Sequence, residues 1–130
     1  MDGATRVLVI DDDAGVRLIL RKNLQHAGFD VETAEGAQEG LERARDWGPD
    51  VIVLDLMMPH IDGFEVLHRL SGEGGTVVPV IVLTAMSGAD VKERCLRAGA
   101  RLVMTKPFEP HTLAAEIERL LAPARPLTSG

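Results

Sequence analysis

The chain has 130 residues, 45% of them hydrophobic, and a net charge of −6. That is the length of one domain with enough apolar residues for a core, while acidity without a basic run argues against nucleic-acid binding. Four aromatic rings, Phe29, Trp47, Phe64 and Phe108, are too few for base-stacking platforms, and no stretch reaches the ~20 apolar residues of a membrane helix.

Val7-Leu8-Val9-Ile10 is a continuous apolar run, as expected for a strand buried on both faces. It ends in Asp11-Asp12-Asp13. Val16, Leu20 and Leu24 then recur with helical spacing, and Ala27-Gly28 stops that helix. Phe29 to Thr33 reads as a short strand, and Ala34-Glu35-Gly36 as a turn. Ala37, Leu41 and Ala44 mark a second helix, stopped by Gly48-Pro49. Val51-Ile52-Val53-Leu54 is the next buried strand and runs into Asp55. A strand of that kind cannot hold a charge along its length, so Asp55 belongs at its carboxyl end.

Pro59 to Gly63 reads as a loop, with Asp62-Gly63 as its turn signal. Phe64, Leu67 and Leu70 begin a third helix, and the Gly-rich Ser71 to Thr76 is expected to be a flexible link. Pro79 cannot donate to a ladder, so the fourth strand is expected to start near Val80. It ends in Thr84-Ala85-Met86. Ser87 is the expected N-cap of a fourth helix carrying Val91, Cys95 and Ala98. Leu102-Val103-Met104 is a short fifth strand, followed by Thr105-Lys106-Pro107-Phe108. Leu113, Ile117, Leu120 and Leu121 line the last helix. Residues 123–130 read as a flexible tail or the start of a linker.

Five strands alternating with five helices imply a parallel sheet covered on both faces. In such a sheet the carboxyl ends of all strands share one edge, where ligands bind. That edge would gather Asp11, Asp12, Asp13, Asp55, Thr84 and Lys106. Clustered carboxylates raise each other's pKa or bind a cation. Hard oxygen donors, with no His or Cys at ligand spacing, suit Mg²⁺. A carboxylate can also attack phosphorus to form an acyl phosphate.

Four segments together resemble the receiver domains of bacterial two-component response regulators. They are Val9-Ile10-Asp11-Asp12-Asp13, Leu54-Asp55-Leu56-Met57-Met58-Pro59 with Asp62-Gly63, Val82-Leu83-Thr84-Ala85, and Thr105-Lys106-Pro107-Phe108. The resemblance covers residues 6 to 122, with residues 1–122 taken as the receiver domain. It implies a flavodoxin-like, doubly wound five-stranded sheet of order 2-1-3-4-5. It implies that Asp55 accepts a phosphoryl group from a sensor histidine kinase or phosphotransfer protein. Asp11, Asp12, Asp55 and the backbone carbonyl of Met57 would hold Mg²⁺, Thr84 would move to bond the phosphoryl oxygen, and Lys106 would pair with it. Ala85 would leave room for the incoming donor, with Met57 and Met86 flanking the phosphoryl group. The Lys106–Pro107 bond is expected to be cis. The implied output is a downstream effector or a fused output domain, with a phosphorylation-dependent dimer as one form. The chain would then be no enzyme beyond its own phosphoryl transfer and slow autodephosphorylation.

Two positions depart from the family pattern. Val103 stands where the family often has Tyr or Phe as a rotamer switch, so signalling is expected to rest on Thr84 and the loop before the fourth helix. Met57 and Met86 offer no hydrogen bond to orient a water, which predicts a long-lived phosphoryl group. Arg101-Leu102 replaces an acidic pair and has no functional reading.

Plainer roles compete at some positions. Asp13 suits the cap of the first helix, Met57 and Met86 can fill gaps, and Cys95 suits the core. A lone cysteine cannot form an internal disulfide and fits a reducing cytosol. Met1 to Arg6 lacks the pattern of a secretion signal, so the expected location is cytoplasmic. A flavin phosphate would be repelled by three aspartates in the first loop. An aspartyl phosphatase would want a carboxylate at Met57. A degenerate receiver, binding partners without phosphorylation, is the remaining alternative, and the complete residue set argues against it.

Overall fold

A computed structural model describes residues 3–71 and 78–122. Strands β1 (Arg6–Ile10), β2 (Asp30–Ala34), β3 (Val51–Asp55), β4 (Val80–Thr84) and β5 (Leu102–Thr105) alternate with helices α1 (Ala14–His26), α2 (Ala37–Trp47), α3 (Gly63–Ser71), α4 (Ala89–Arg97) and α5 (Pro110–Leu121). The strands form one sheet of order β2-β1-β3-β4-β5, every pairing parallel. This is the doubly wound architecture and strand order expected from the sequence. The glycine-rich link from residue 72 and the tail from residue 123 lie outside the described residues.

The apolar runs became the central strands because they bury both faces. Every residue of β3 and β4 is buried, as are four of five in β1. Alternate side chains feed two separate layers. Leu8, Ile10, Ile52, Leu54, Val80 and Val82 pack with residues of α2, α3 and α4. Val7, Val9, Val51, Val53, Ile81 and Leu83 pack with residues of α1 and α5. Full burial of one such side chain contributes about 1.5–3 kcal/mol. Cys95 is fully buried in the first layer, a core residue as expected.

Helix boundaries follow local chemistry with two corrections. The Asp13 carboxylate accepts N–H bonds from Gly15 and Val16, so Asp13 caps α1 as expected. Ser87 does not cap α4. The cap is Gly88, at φ 117°, a backbone conformation that disfavours any side chain, and no side chain bonds the helix start. The turn before α3 also falls elsewhere than Asp62-Gly63. His60 carries the positive φ of 64°, while Gly63 is already the first residue of α3. Ala34 belongs to β2 rather than to the turn after it.

Candidate functional site

The carboxyl ends of β1, β3, β4 and β5 meet at one edge. Asp11 follows β1 directly and is 1% exposed. Its backbone is fixed from both sides: its N–H donates to the Ala34 carbonyl at 3.1 Å, and Arg17 Nη1 donates to its own carbonyl at 2.7 Å. Its Oδ1 accepts the Asp13 N–H at 2.9 Å. Its Oδ2 lies 3.2 Å from Lys106 Nζ. Asp55 ends β3 and is 6% exposed. Its Oδ1 accepts the Met57 N–H at 3.1 Å and stands 3.6 Å from Lys106 Nζ. Asp12 is exposed. Asp11, Asp12 and Asp55 each offer a carboxylate oxygen, and these oxygens lie within 4.8 Å of one another.

Burial pushes the Asp55 carboxyl above the ordinary carboxylate range. The Met57 N–H works against this shift, Asp11 adds to it, Lys106 opposes it, and Asp12 adds to it. Among the described residues Lys106 is the one cationic side chain in contact with these carboxylates. Three carboxylates facing one ammonium leave excess negative charge. The donors are hard oxygens at close spacing, without His or Cys. The set therefore fits a small divalent cation, with Mg²⁺ the natural match.

Thr84 ends β4 and is fully buried. Its Oγ1 accepts the Met86 N–H at 3.0 Å, so the hydroxyl is engaged by its own loop. Its carbonyl accepts the Lys106 N–H at 2.8 Å, which ties the β5 exit to β4. The Lys106–Pro107 bond is cis, as the resemblance implies. Val103 is half-buried and packs against the α2–α4 layer.

The three residues grouped around phosphoryl access divide between two grooves. Ala85 lines an apolar groove of about 480 Å³ with Val16, Ile19, Leu20, Lys106 and Phe108, on the α1 side. Met57 and Met86 line a second groove, of about 510 Å³, with Asp12, Ile61 and Phe64. Met57 is 53% exposed, which makes it a poor gap-filler.

Sequence reasoning missed Arg17. The only hint was a cation near the start of a helix, where it opposes the helix dipole, and that does not name a partner. Here the partner is the Asp11 carbonyl.

A family model described as the response regulator receiver domain matches residues 7–118. The chain is a response regulator receiver domain. It is 40% identical over 123 residues to the response regulator MprA of Mycobacterium tuberculosis, covering 95% of this chain and 53% of that protein. It is 38% identical over 116 residues to the alkaline phosphatase synthesis transcriptional regulatory protein PhoP of Bacillus subtilis, covering 89% and 48%. The chain thus spans about half the length of these curated relatives. Among solved structures, Vibrio cholerae chemotaxis protein CheY4 superposes with a TM-score of 0.85 at 32% identity, covering 92% of this receiver and 100% of that chain. No described helix of the receiver is long and apolar enough to cross a membrane.

Proposed function

We propose that this receiver takes a phosphoryl group onto Asp55 from a phosphohistidine donor, in a Mg²⁺-dependent reaction. The observation that carries the reading is the meeting of Asp11, Asp12 and Asp55 within 4.8 Å, with Lys106 bridging two of them. Mg²⁺ would be held by these three carboxylates and the Met57 carbonyl, and it would neutralise charge on the transferring group. An Asp55 oxygen attacks phosphorus, an O–P bond forms, and the P–N bond to the donor imidazole breaks. The imidazole leaves as the neutral base after taking a proton. Lys106 stands where it can pair with the new phosphoryl oxygens, and the Thr84 hydroxyl, which accepts the Met86 N–H, keeps its own O–H free to donate to them.

The apolar groove around Ala85 and Phe108, beside exposed Leu18 and Ile19 of α1, supports docking of the kinase or phosphotransfer protein on that side. Output then passes to an effector or a fused output domain. The domain turns over no external substrate beyond its own phosphoryl transfer and slow autodephosphorylation, and it works in the cytoplasm.

The test is an intact mass after incubation with Mg²⁺ and acetyl phosphate, beside Asp55→Asn. The expected result is one added phosphoryl group, absent from the variant and absent without metal. No added mass on the wild type with acetyl phosphate or with a phosphohistidine donor would overturn the reading in favour of a degenerate receiver.

A further inference from the structure

Gly63 begins α3 directly beneath the loop that leaves β3. A Cβ built on it would stand 2.1 Å from the Leu56 carbonyl oxygen, 2.9 Å from Leu56 Cδ1 and 3.0 Å from the Leu56 carbonyl carbon. No positive φ is involved at this position, so the demand for glycine is one of space. The side-chain contact could yield by rotation, but the carbonyl belongs to the backbone. It would have to retreat by about an ångström to reach ordinary contact.

That carbonyl is one half of a planar unit whose other half is the Met57 N–H. The N–H is the donor that holds Asp55 Oδ1 at 3.1 Å. On the inner side, the Leu56 N–H is tied to the Leu83 carbonyl at 3.2 Å. On the outer side, α3 is anchored by Asp62, whose side chain accepts the Phe64 N–H at 3.0 Å and whose carbonyl accepts from Glu65 and Val66. The Leu56–Met57 peptide is therefore clamped between β4 and the first turn of α3, with no room for a methyl group.

We infer that Gly63 is a positioning residue for Asp55, acting through the Leu56–Met57 peptide. Its missing side chain lets α3 press that peptide into the orientation that points the Met57 N–H at the acceptor carboxylate. The inference rests on the reading of Asp55 as the phosphoryl acceptor. Pushing the carbonyl aside rotates the N–H away and frees the carboxylate to turn. It also displaces Met57, whose own carbonyl is a proposed metal ligand.

The experiment compares Gly63→Ala with Gly36→Ala, where an added Cβ meets nothing within 4 Å. The first readout is the Met57 amide proton resonance of the metal-free protein. It is expected to move upfield in Gly63→Ala, as a lost hydrogen bond requires, and to stay in place in Gly36→Ala. The second readout is the rate of phosphoryl uptake from acetyl phosphate at saturating Mg²⁺. It is expected to fall roughly 10- to 100-fold in Gly63→Ala, the usual effect of an ångström of misplacement. Adding Leu56→Val removes the Cδ1 contact but leaves the carbonyl, so the displaced amide should persist in the double variant. A folded Gly63→Ala with an unmoved Met57 amide overturns the inference, as does recovery of the amide on adding Leu56→Val. A Gly63→Ala chain that cannot fold also overturns it, leaving Gly63 a purely structural residue. If wild type takes up no phosphoryl group, the acceptor reading fails instead, and the Met57 resonance still decides the role of Gly63.

Discussion

Lys106 Nζ stands 3.2 Å from Asp11 Oδ2, although 95 residues separate the two in the chain. The contact joins the exits of β1 and β5, which are not neighbours in the sheet. It is also the one ion pair made by buried Asp11 among the described residues.

Replacing Lys106 by Met should therefore leave Asp11 buried and uncompensated. The expected loss is about 1–3 kcal/mol at neutral pH, less than for a fully buried pair because the lysine keeps some exposure. Urea unfolding of Lys106→Met, Asp11→Asn and the double variant measures it. Strict additivity of the two losses would show that the contact contributes nothing.

Asp55 has a raised pKa in the folded protein, so its effect on stability runs opposite to that of a paired surface carboxylate. Below the ordinary value of 3.8, folded and unfolded chains both hold the proton and no difference arises. Above it, the unfolded chain loses the proton first, so stability falls as pH rises toward the native pKa. Asp55→Asn should accordingly stabilise the metal-free protein at pH 7, by a few °C in midpoint for each ~1 kcal/mol. The gain should vanish at pH 3. Melting curves in chelator at both pH values decide this, and an equal gain at both would remove the electrostatic cause.

Mg²⁺ should relieve the same repulsion. At a hundredfold excess over its dissociation constant, binding to the folded state adds about 2.7 kcal/mol. A thermal-shift titration should show a midpoint rising with Mg²⁺ in wild type and much less in Asp11→Asn. Equal shifts in both proteins would place the metal elsewhere.

His60 holds a left-handed backbone at φ 64°, a conformation that costs a non-glycine residue about 1–2 kcal/mol. His60→Gly should recover part of that, offset by the greater freedom of glycine when unfolded. We expect a gain of roughly 0.5–1 kcal/mol in urea unfolding. A loss of stability would mean that the His60 side chain holds the loop in some way the backbone does not reveal.

Phosphoryl lifetime is set in part by what can orient a water near Asp55. Met57 and Met86 share one groove and supply no hydrogen-bonding group to it beyond weakly accepting sulfur. Met57→Asn should shorten the lifetime of the phosphorylated protein, followed by loss of the added mass over time. A wild-type half-life of seconds would contradict the expectation.

The strands and the site were legible in the sequence for one reason. Continuous apolar runs ending in a charged or hydroxyl residue can be placed only one way in a parallel sheet. Asp55, Asp11, Thr84 and Lys106 all follow from that rule, and the resemblance adds only their roles. What could not be read were features set by space and backbone angle. Asp62-Gly63 has the composition of a turn, but a glycine needed for its missing Cβ looks the same on paper as one needed for its φ. The turn itself fell on His60, whose identity gives weak warning. Ser87 has a capping hydroxyl, yet the chain enters α4 through a conformation that Gly88 tolerates and serine does not favour. Arg17 was hidden because its partner is a backbone carbonyl, which no side-chain pattern displays.

The pleat of the sheet has one last consequence. Asp55 lies opposite Leu83, on the side of the sheet covered by α1 and α5. Thr84 comes one residue later, in the row of Val82 and opposite Thr105, while Val82 is opposite Val103. Acceptor and hydroxyl thus terminate rows on opposite sides of the same wall. A bond formed over the rim between them would join the layer packed under α1 and α5 to the layer packed under α2, α3 and α4. News of the reaction could then cross the thickness of the domain in a single side-chain rotation, with the strands themselves standing still.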